Sequence, residues 1–458
     1  MVQILLTKYW VLAHLLMTVS TLCFFPAVSV GAMLWCATSL LLMMFCLPPV
    51  LKGESFVFAR MRMRSDFQAD ALVYFSFMAI LYVTIQILNG PRALVYGPEL
   101  RRWFYSAPFL PLFPSHIQSA VGVPFFVGLL GGLTSAVVIR CSLMRKQRMF
   151  LLLGVGLSTA ALGVVGGICV ALGCPLRWEW MGGVSGISVL WMLMFCVCLG
   201  MVCESFLEGR LKTFRVALIA ACANELGLFA CGSAVMMRVS VVVVIVYLIF
   251  MGVLVRGSGR FPRALWYSVT MLPVFFSAAI GIALVPSVNE TSLVSVLNEG
   301  AKGVEAFWEQ WIFRARLALD VFSSEPMMGT GPGGFEACAT FFVKGKSAWA
   351  LWRSGGTALP CDFLRLLCEQ GMMGTLLLLL PGVAMLGRCL VEWMEIRQDR
   401  HRSYSFRYIF IFVGSWIGIV SVLIASIFGT PLHEPAVLCV FLIVCACLRG
   451  WMPRRRHS

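Results

Sequence analysis

The sequence predicts an all-α, polytopic integral membrane protein of about 12 transmembrane helices with one large external loop. Three observations carry that prediction. The 458 residues are 60% hydrophobic and only 12% charged. Apolar runs near the length needed to cross about 30 Å of hydrocarbon as a helix recur along the whole chain. One interval, residues 286–370, breaks the pattern with polar, glycine-rich and charged–aromatic sequence.

In chain order, the apolar runs place spans near residues 5–25, 28–50, 68–88, 117–139, 150–173, 184–203, 214–236, 239–255, 265–285, 371–391, 407–427 and 432–448. Pro273 and Pro381 fall inside two of them, which membrane helices tolerate because neighbouring groups satisfy the freed backbone. The organisation is then an N-terminal membrane bundle (1–285), a large loop (286–370), and C-terminal membrane helices with a basic tail (371–458).

The net charge of +15 is distributed as a membrane protein distributes it. Lys52, Arg60, Arg62 and Arg64 form one cluster, and Arg140, Arg145, Lys146 and Arg148 the next. Arg210, Lys212 and Arg215 follow, then Arg256, Arg260 and Arg263, then Arg388 through Arg407, and finally Arg449 with Arg454, Arg455 and Arg456. These fall in every second connection and at the C-terminus, so the positive-inside rule puts both termini in the cytoplasm and the large loop outside. The first apolar run is followed directly by another and lacks a small-residue cleavage site, so it reads as a span rather than a cleaved signal. The absence of a large basic soluble domain excludes nucleic acid as a partner.

Most of the 18 cysteines lie within apolar runs and read as small buried hydrophobes. Cys338, Cys361 and Cys368 fall in or beside the external region, where a disulfide between two of them is open.

Inside the loop, Ser287 to Asn298 reads as polar and irregular. From Glu299 to Phe322, apolar residues at three- and four-residue spacing predict an amphipathic helix at the membrane surface. Arg314 and Arg316 sit two apart on it, so one of them is expected to face the protein interior. Gly329, Gly331, Gly333 and Gly334 make a turn around Pro332 whose spacing matches neither the phosphate loop nor the dinucleotide fingerprint. Gly345-Lys346-Ser347 lacks the glycine-rich approach that a nucleotide site needs. Lys344, Lys346, Trp349, Trp352 and Arg353 mix positive charge with aromatic surface, which suits a sugar–phosphate or an anionic headgroup. Interfacial tryptophans that merely anchor the chain give the same pattern. Asp362 to Gly371 reads as a short helix entering the next span, with Arg365 and Glu369 at a pairing distance.

Three stretches, in order, resemble the O-antigen ligase/polymerase superfamily of bacterial envelope glycosyltransferases. They are Arg316-Leu-Ala-Leu-Asp320 leading into Pro326-Met-Met-Gly-Thr-Gly-Pro-Gly-Gly-Phe335, then Asp362-Phe-Leu-Arg-Leu-Leu-Cys-Glu-Gln-Gly-Met-Met-Gly374, then Ser426-Ile-Phe-Gly-Thr-Pro-Leu-His-Glu-Pro-Ala436. The resemblance implies a metal-independent transferase without cofactor, at the periplasmic face of the bacterial inner membrane. Its donor is an undecaprenyl-diphosphate-linked glycan, and its acceptor a glycan, lipid A-core or protein. Membrane lipids and glycan-export membrane proteins are the further partners it implies.

The resemblance also implies external arginines that hold the diphosphate. Arg238, at the mouth of a span, and Arg316 match best, with Arg314 beside it and Arg177 as a third candidate. Gly329, Gly331 and Gly333 would shape the cleft, and Lys344, Arg353 and Arg365 would line it. The family's loop histidine has no counterpart, because Cys361-Asp362 stands where a His-Asn pair is usual. Asp362, Glu369 or His433 are the candidates to assist acceptor attack, with the distant His116 as a further one. A polysaccharide or lipid transporter is one rival reading, and Glu225 within an apolar run is the residue that favours it. A non-catalytic envelope-assembly membrane protein is the other, favoured by the missing histidine.

Overall fold

The structure is a computed structural model that describes residues 71–89, 94–97, 102–106, 109–110, 113–115, 119–142, 145–172, 183–230, 293–354, 361–398, 404–405, 408–448, 451 and 454–455. Its helices are α1 (Ala71–Leu88), α2 (Ser119–Ser142), α3 (Arg145–Ala171), α4 (Gly183–Leu207), α5 (Leu211–Ala230), α6 (Leu293–Ser324), α7 (Gly334–Ala339), α8 (Lys346–Ser354), α9 (Asp362–Gln398), α10 (Ile409–Phe428) and α11 (Pro435–Leu448). A 3-10 turn, Pro431–His433, joins the last two. Two short antiparallel pairs accompany them: β1 (Leu94–Gly97) with β2 (Arg102–Tyr105), and β3 (Tyr404–Ser405) with β4 (Arg454–Arg455). The aromatic and β-branched content of Leu94–Gly97 and Arg102–Tyr105 accounts for the first pair, which the span pattern did not foresee.

The chain is therefore an all-α, multi-pass membrane protein in its architecture. Among the described residues four helices are long and apolar enough to cross a bilayer: Arg145–Cys169, Gly186–Phe206, Asp362–Val391 and Ile409–Phe428. Shorter apolar helices at Tyr74–Leu88, Gly128–Val137 and Pro435–Leu448 match three more of the expected spans. The runs at 5–25, 28–50, 239–255 and 265–285 lie outside the described residues, and 214–236 is described only as far as Ala230.

One boundary in this region differs from the sequence reading and another falls where it was read. Helix α6 begins at Leu293, so the end of the stretch read as irregular is helical; Leu293-Val-Ser-Val-Leu297 carries enough apolar residues to extend the helix backwards. The entry segment from Asp362 and the span after it are two helical segments that meet at a kink at Gly371 (φ 63°, ψ −175°), where the sequence reading divided them; α9 names both.

Helix α4 is the centre of the bundle. It is apolar all round, and its span is buried throughout, as a core helix should be. It lies between α5 and α10, with α3 behind α5, while α11 packs on α2 and α9 on α1. Small residues set the closest crossing: a Cβ on Gly200 would stand 2.6 Å from the Phe410 carbonyl oxygen, and one on Gly414 would stand 2.5 Å from that of Cys196. No side chain fits there, so these two backbones meet directly, as membrane helices do at small-residue seams. Cys196, Cys198, Cys203, Cys439, Cys445 and Cys447 are buried in the same core, in the role of small hydrophobes.

Several buried polar side chains of this core bond to the backbone. Trp191 Nε1 donates to the Thr159 carbonyl at 2.9 Å, and Asn224 Nδ2 donates to those of Ala220 (2.7 Å) and Gly156 (3.0 Å). The Glu204 carboxylate accepts from the N–H groups of Tyr408 (2.7 Å) and Phe410 (3.4 Å). A carboxylate at the N-terminus of α10 satisfies donors that the helix leaves open and complements its dipole.

Candidate functional site

The site forms at the end of the bundle where α9 starts, α10 stops and α11 begins. The N–H of Asp362 donates to the Gly429 carbonyl at 3.0 Å, which fixes the start of α9 to the end of α10. Gly429 is extended, and Pro431 then opens the 3-10 turn that carries His433. The turn is held in register by the N–H of Leu432, which donates to Asp362 Oδ2 at 2.9 Å. His433 Nδ1 stands 2.8 Å from Asp362 Oδ1. Phe125 of α2 stacks on the imidazole with centroids 5.3 Å apart.

Asp362, Arg365 and Glu369 follow one another at i, i+3 and i+7, so they share one face of α9. Arg365 Nε donates to Glu369 Oε1 at 3.0 Å. The second carboxylate oxygen of Glu369 lies 3.6 Å from His433 Nε2, an ion-pair separation rather than a hydrogen bond. The imidazole thus stands between two carboxylates, with Asp362 on Nδ1 and Glu369 on Nε2. All three are shielded: the side chains of Asp362, Glu369 and His433 are 0%, 1% and 7% exposed.

Burial and the nearby Arg365 charge both oppose protonation of His433. The hydrogen bond to Asp362 and the facing Glu369 outweigh them, and hold its pKa above the ordinary value for histidine. Burial raises the pKa of the neighbouring Glu434 carboxyl above the usual carboxylate range, against the lowering effect of His433 and Arg365. The arrangement can hold a proton on an imidazole oriented by a carboxylate, which is what general acid–base chemistry needs of its components. Among the described residues no group of three His, Cys, Asp or Glu side chains is arranged to hold a metal ion.

The glycine-rich segment reaches this site through its backbone. At Gly371 the helix breaks, leaving carbonyls before it and N–H groups after it without helical partners. Residues 326–331 take up both sets. The N–H groups of Thr330 and Gly331 donate to the carbonyls of Cys368 (3.0 Å) and Glu369 (2.7 Å), and those of Met372 and Met373 donate to Pro326 (2.9 Å) and Met327 (3.2 Å). Tyr82 of α1 adds its hydroxyl to the Gln370 carbonyl at 2.9 Å. Gly329 (φ 69°) and Gly371 meet so closely that a Cβ on Gly329 would stand 2.6 Å from the Glu369 carbonyl. Gly331 and Gly333 also hold positive φ, at 85° and 73°. The turn is a clasp around the kink of α9, directly behind Glu369.

Beneath the clasp, Leu317, Ala318 and Val321 of α6 pack with Phe335, Ala339, Val343, Trp352 and Cys368 into a second apolar core. Trp352 is buried there, edge-on to Phe335 at 6.1 Å, so it is a core residue rather than an interfacial anchor. No disulfide joins Cys338, Cys361 or Cys368 to one another.

The structure brings Asp362, Arg365 and His433 together, with Glu369 completing the group. Of the two loop arginines on α6, Arg314 is buried and Arg316 is exposed, as the two-residue spacing anticipated. Lys344 is exposed between α7 and α8, and Arg353 lies within α8. Arg177 and Arg238 lie outside the described residues, as does His116. The carboxylate that meets His433 is that of Asp362, whose Oδ1 lies against Nδ1 while Oδ2 holds the turn. The i, i+3, i+7 spacing of Asp362, Arg365 and Glu369 was the available signal for a shared face. No family model matches this sequence, and a search of curated proteins finds no match.

Proposed function

We propose that this protein is a membrane-embedded glycosyltransferase of the O-antigen ligase/polymerase kind. It would transfer or polymerise a glycan carried on undecaprenyl diphosphate at the periplasmic face of a bacterial inner membrane. The observation that carries this reading is the convergence of three stretches distant in sequence. The segments around 326–335, 362–374 and 426–436 meet at one end of the bundle, where His433 and Asp362 are joined at 2.8 Å.

In this reading His433, oriented by Asp362, takes the place of the absent loop histidine. The acceptor hydroxyl oxygen attacks C1 of the donor sugar, the bond from C1 to the diphosphate oxygen breaks, and the hydroxyl proton passes to His433 Nε2. The attack inverts C1 in a single displacement. Acceptor binding has to part Nε2 from Glu369, which faces it at 3.6 Å. The leaving diphosphate gains negative charge, and fixed guanidinium groups stabilise it. Arg316 is exposed on α6, and Arg365 is bonded to Glu369 through Nε; with Arg238 they are the arginines assigned to that clamp. Gly329, Gly331 and Gly333 support the site through the kink of α9.

A second reading is a non-catalytic envelope-assembly membrane protein, in which the shielded His433–Asp362–Glu369 group is a structural lock. The near-complete burial of Nε2 favours it.

Deletion of the gene and analysis of envelope glycans separate the two. Complementation uses wild type, Asp362→Asn, His433→Gln, Arg316→Ala and Arg238→Ala at matched protein level. The transferase reading expects glycan to accumulate on its lipid carrier in the deletion strain and in the Asp362 and His433 variants. Full-length glycan on the carrier indicates a ligase, and single repeats indicate a polymerase. Unchanged glycans in the deletion strain would contradict it.

A further inference from the structure

Helix α6 carries two apolar faces, and the second core accounts for only one. Leu317, Ala318 and Val321 are buried against the clasp. Trp308, Ile312, Ala315 and Leu319 follow one another at four-, three- and four-residue spacing, and so form a separate stripe. Trp308, Ile312 and Leu319 are 44%, 45% and 56% exposed. On one side the stripe is edged by Glu309, Arg316, Asp320 and Ser323, all exposed. A helix with a packed face, an apolar outer stripe and a polar edge beside it has the form of one lying in a membrane interface.

What covers the stripe is indicated by its continuity with α10. Val420, Ile424, Ile427 and Phe428 are each between 43% and 46% exposed and lie on one face of that apolar helix. In a bilayer such a face meets lipid. At its end Phe428 stands edge-on to Trp308 with centroids 6.3 Å apart, Trp308 meets Trp311 at 5.8 Å, and Trp311 Nε1 donates to the Ile427 carbonyl at 3.4 Å. The lipid-facing surface of α10 therefore passes without a polar break onto α6. Tryptophans at such a junction place their rings at headgroup level.

We infer that the Trp308–Ile312–Leu319 stripe of α6 is seated in the acyl-chain boundary of the leaflet on the loop side, with bilayer lipid as its occupant. The helix is a half-immersed strut that sets the height of the clasp and of the His433 group relative to the bilayer. Arg316, on the polar edge of the stripe, then stands at the level of lipid phosphates, with its aliphatic stem along the apolar side. For a donor whose charge sits on a lipid diphosphate, that is the level at which the diphosphate is presented; this last consequence alone rests on the transferase reading.

The test places the photoreactive residue p-benzoylphenylalanine, one position at a time, at Ile312, Leu319, Asp320, Ser323 and Ile424 of the full chain. The protein is reconstituted in vesicles of phosphatidylethanolamine and phosphatidylglycerol. After irradiation, mass spectrometry should find phospholipid adducts at 312, 319 and 424, and loss of those adducts at 320 and 323. Adducts at 424 but none at 312 and 319 would overturn the inference. So would protein–protein adducts at 312 and 319, which would assign the stripe to a second copy of the chain. Equal lipid labelling at all five positions, or none at 424, would remove the continuity on which it stands. The readout needs no glycan transfer, so its outcome is independent of the proposed activity.

Discussion

An imidazole between two shielded carboxylates makes opposite demands on stability and on catalysis. The folded-state pKa of His433 is raised. Its protonated form therefore contributes stability that is fully present below the unfolded value of about 6.5, and that is lost as pH rises through the folded value. A general base must be neutral, so activity should rise over the same interval in which that contribution fades. Melting temperature in detergent and transfer rate, each measured against pH, should cross in this way, and His433→Gln should abolish both limbs. A transfer rate that falls on raising pH through that interval would show that His433 is not the base. Sequence alone brought His433, Asp362 and Glu369 forward as separate candidates, since each was a polar residue near a span end. Their assembly was not legible there, because the bond joining residues 362 and 433 depends on where α10 stops and how Pro431 turns the chain.

At the level of single elements, the kink of α9 depends on two glycines more than on any side chain. Gly371 holds a φ of 63° with an extended ψ, a region that only glycine occupies without strain, and Gly329 lies against it. Gly371→Ala or Gly329→Ala should each destabilise the protein by about 1–3 kcal/mol or more from backbone strain, with the added cost of the overlap. Thermal unfolding of the purified variants measures this; melting temperatures equal to wild type would refute the clasp. A second device is the Glu204 carboxylate at the start of α10. Glu204→Ala removes the acceptor of the Tyr408 N–H and should cost about 0.5–2 kcal/mol, as loss of a helix cap does. A variant as stable as wild type would show that the cap is dispensable. The apolar helices of the bundle were readable from apolar length, and α6 from its three- and four-residue spacing, whereas the short α7 and α8 were not expected. The break at Gly371 was read as the end of a short helix, but the backbone tie that bridges it was not legible. A glycine after a short polar helix reads equally as a stop, and only the carbonyls and N–H groups taken up by residues 326–331 explain why the helix resumes.

For the molecule as a whole, an α-helical multi-pass architecture was legible because hydrocarbon leaves the backbone no other way to satisfy itself except a closed barrel. The expected orientation rests on charge alone: the positive-inside rule would put Arg140 to Arg148 and Arg210 to Arg215 on one side and residues 286–370 on the other. Protease sites inserted at 209 and at 345 should therefore be cut from opposite faces of sealed vesicles; cleavage of both from one face would refute the orientation. The central claim is that the His433–Asp362 group at the loop end of this bundle performs glycan transfer. It is tested most directly by supplying the purified, reconstituted chain with glycan on undecaprenyl diphosphate and an envelope extract as acceptor source, and measuring release of the free carrier diphosphate. Wild type should release it. His433→Gln and Asp362→Asn, compared with wild type at a pH above the raised folded-state value of His433, where the stability from its protonation has faded and the base is neutral, should fall by roughly 10²–10⁴-fold, the span expected for loss of a general base. Release at the wild-type rate by both variants, or none by wild type, would contradict the claim.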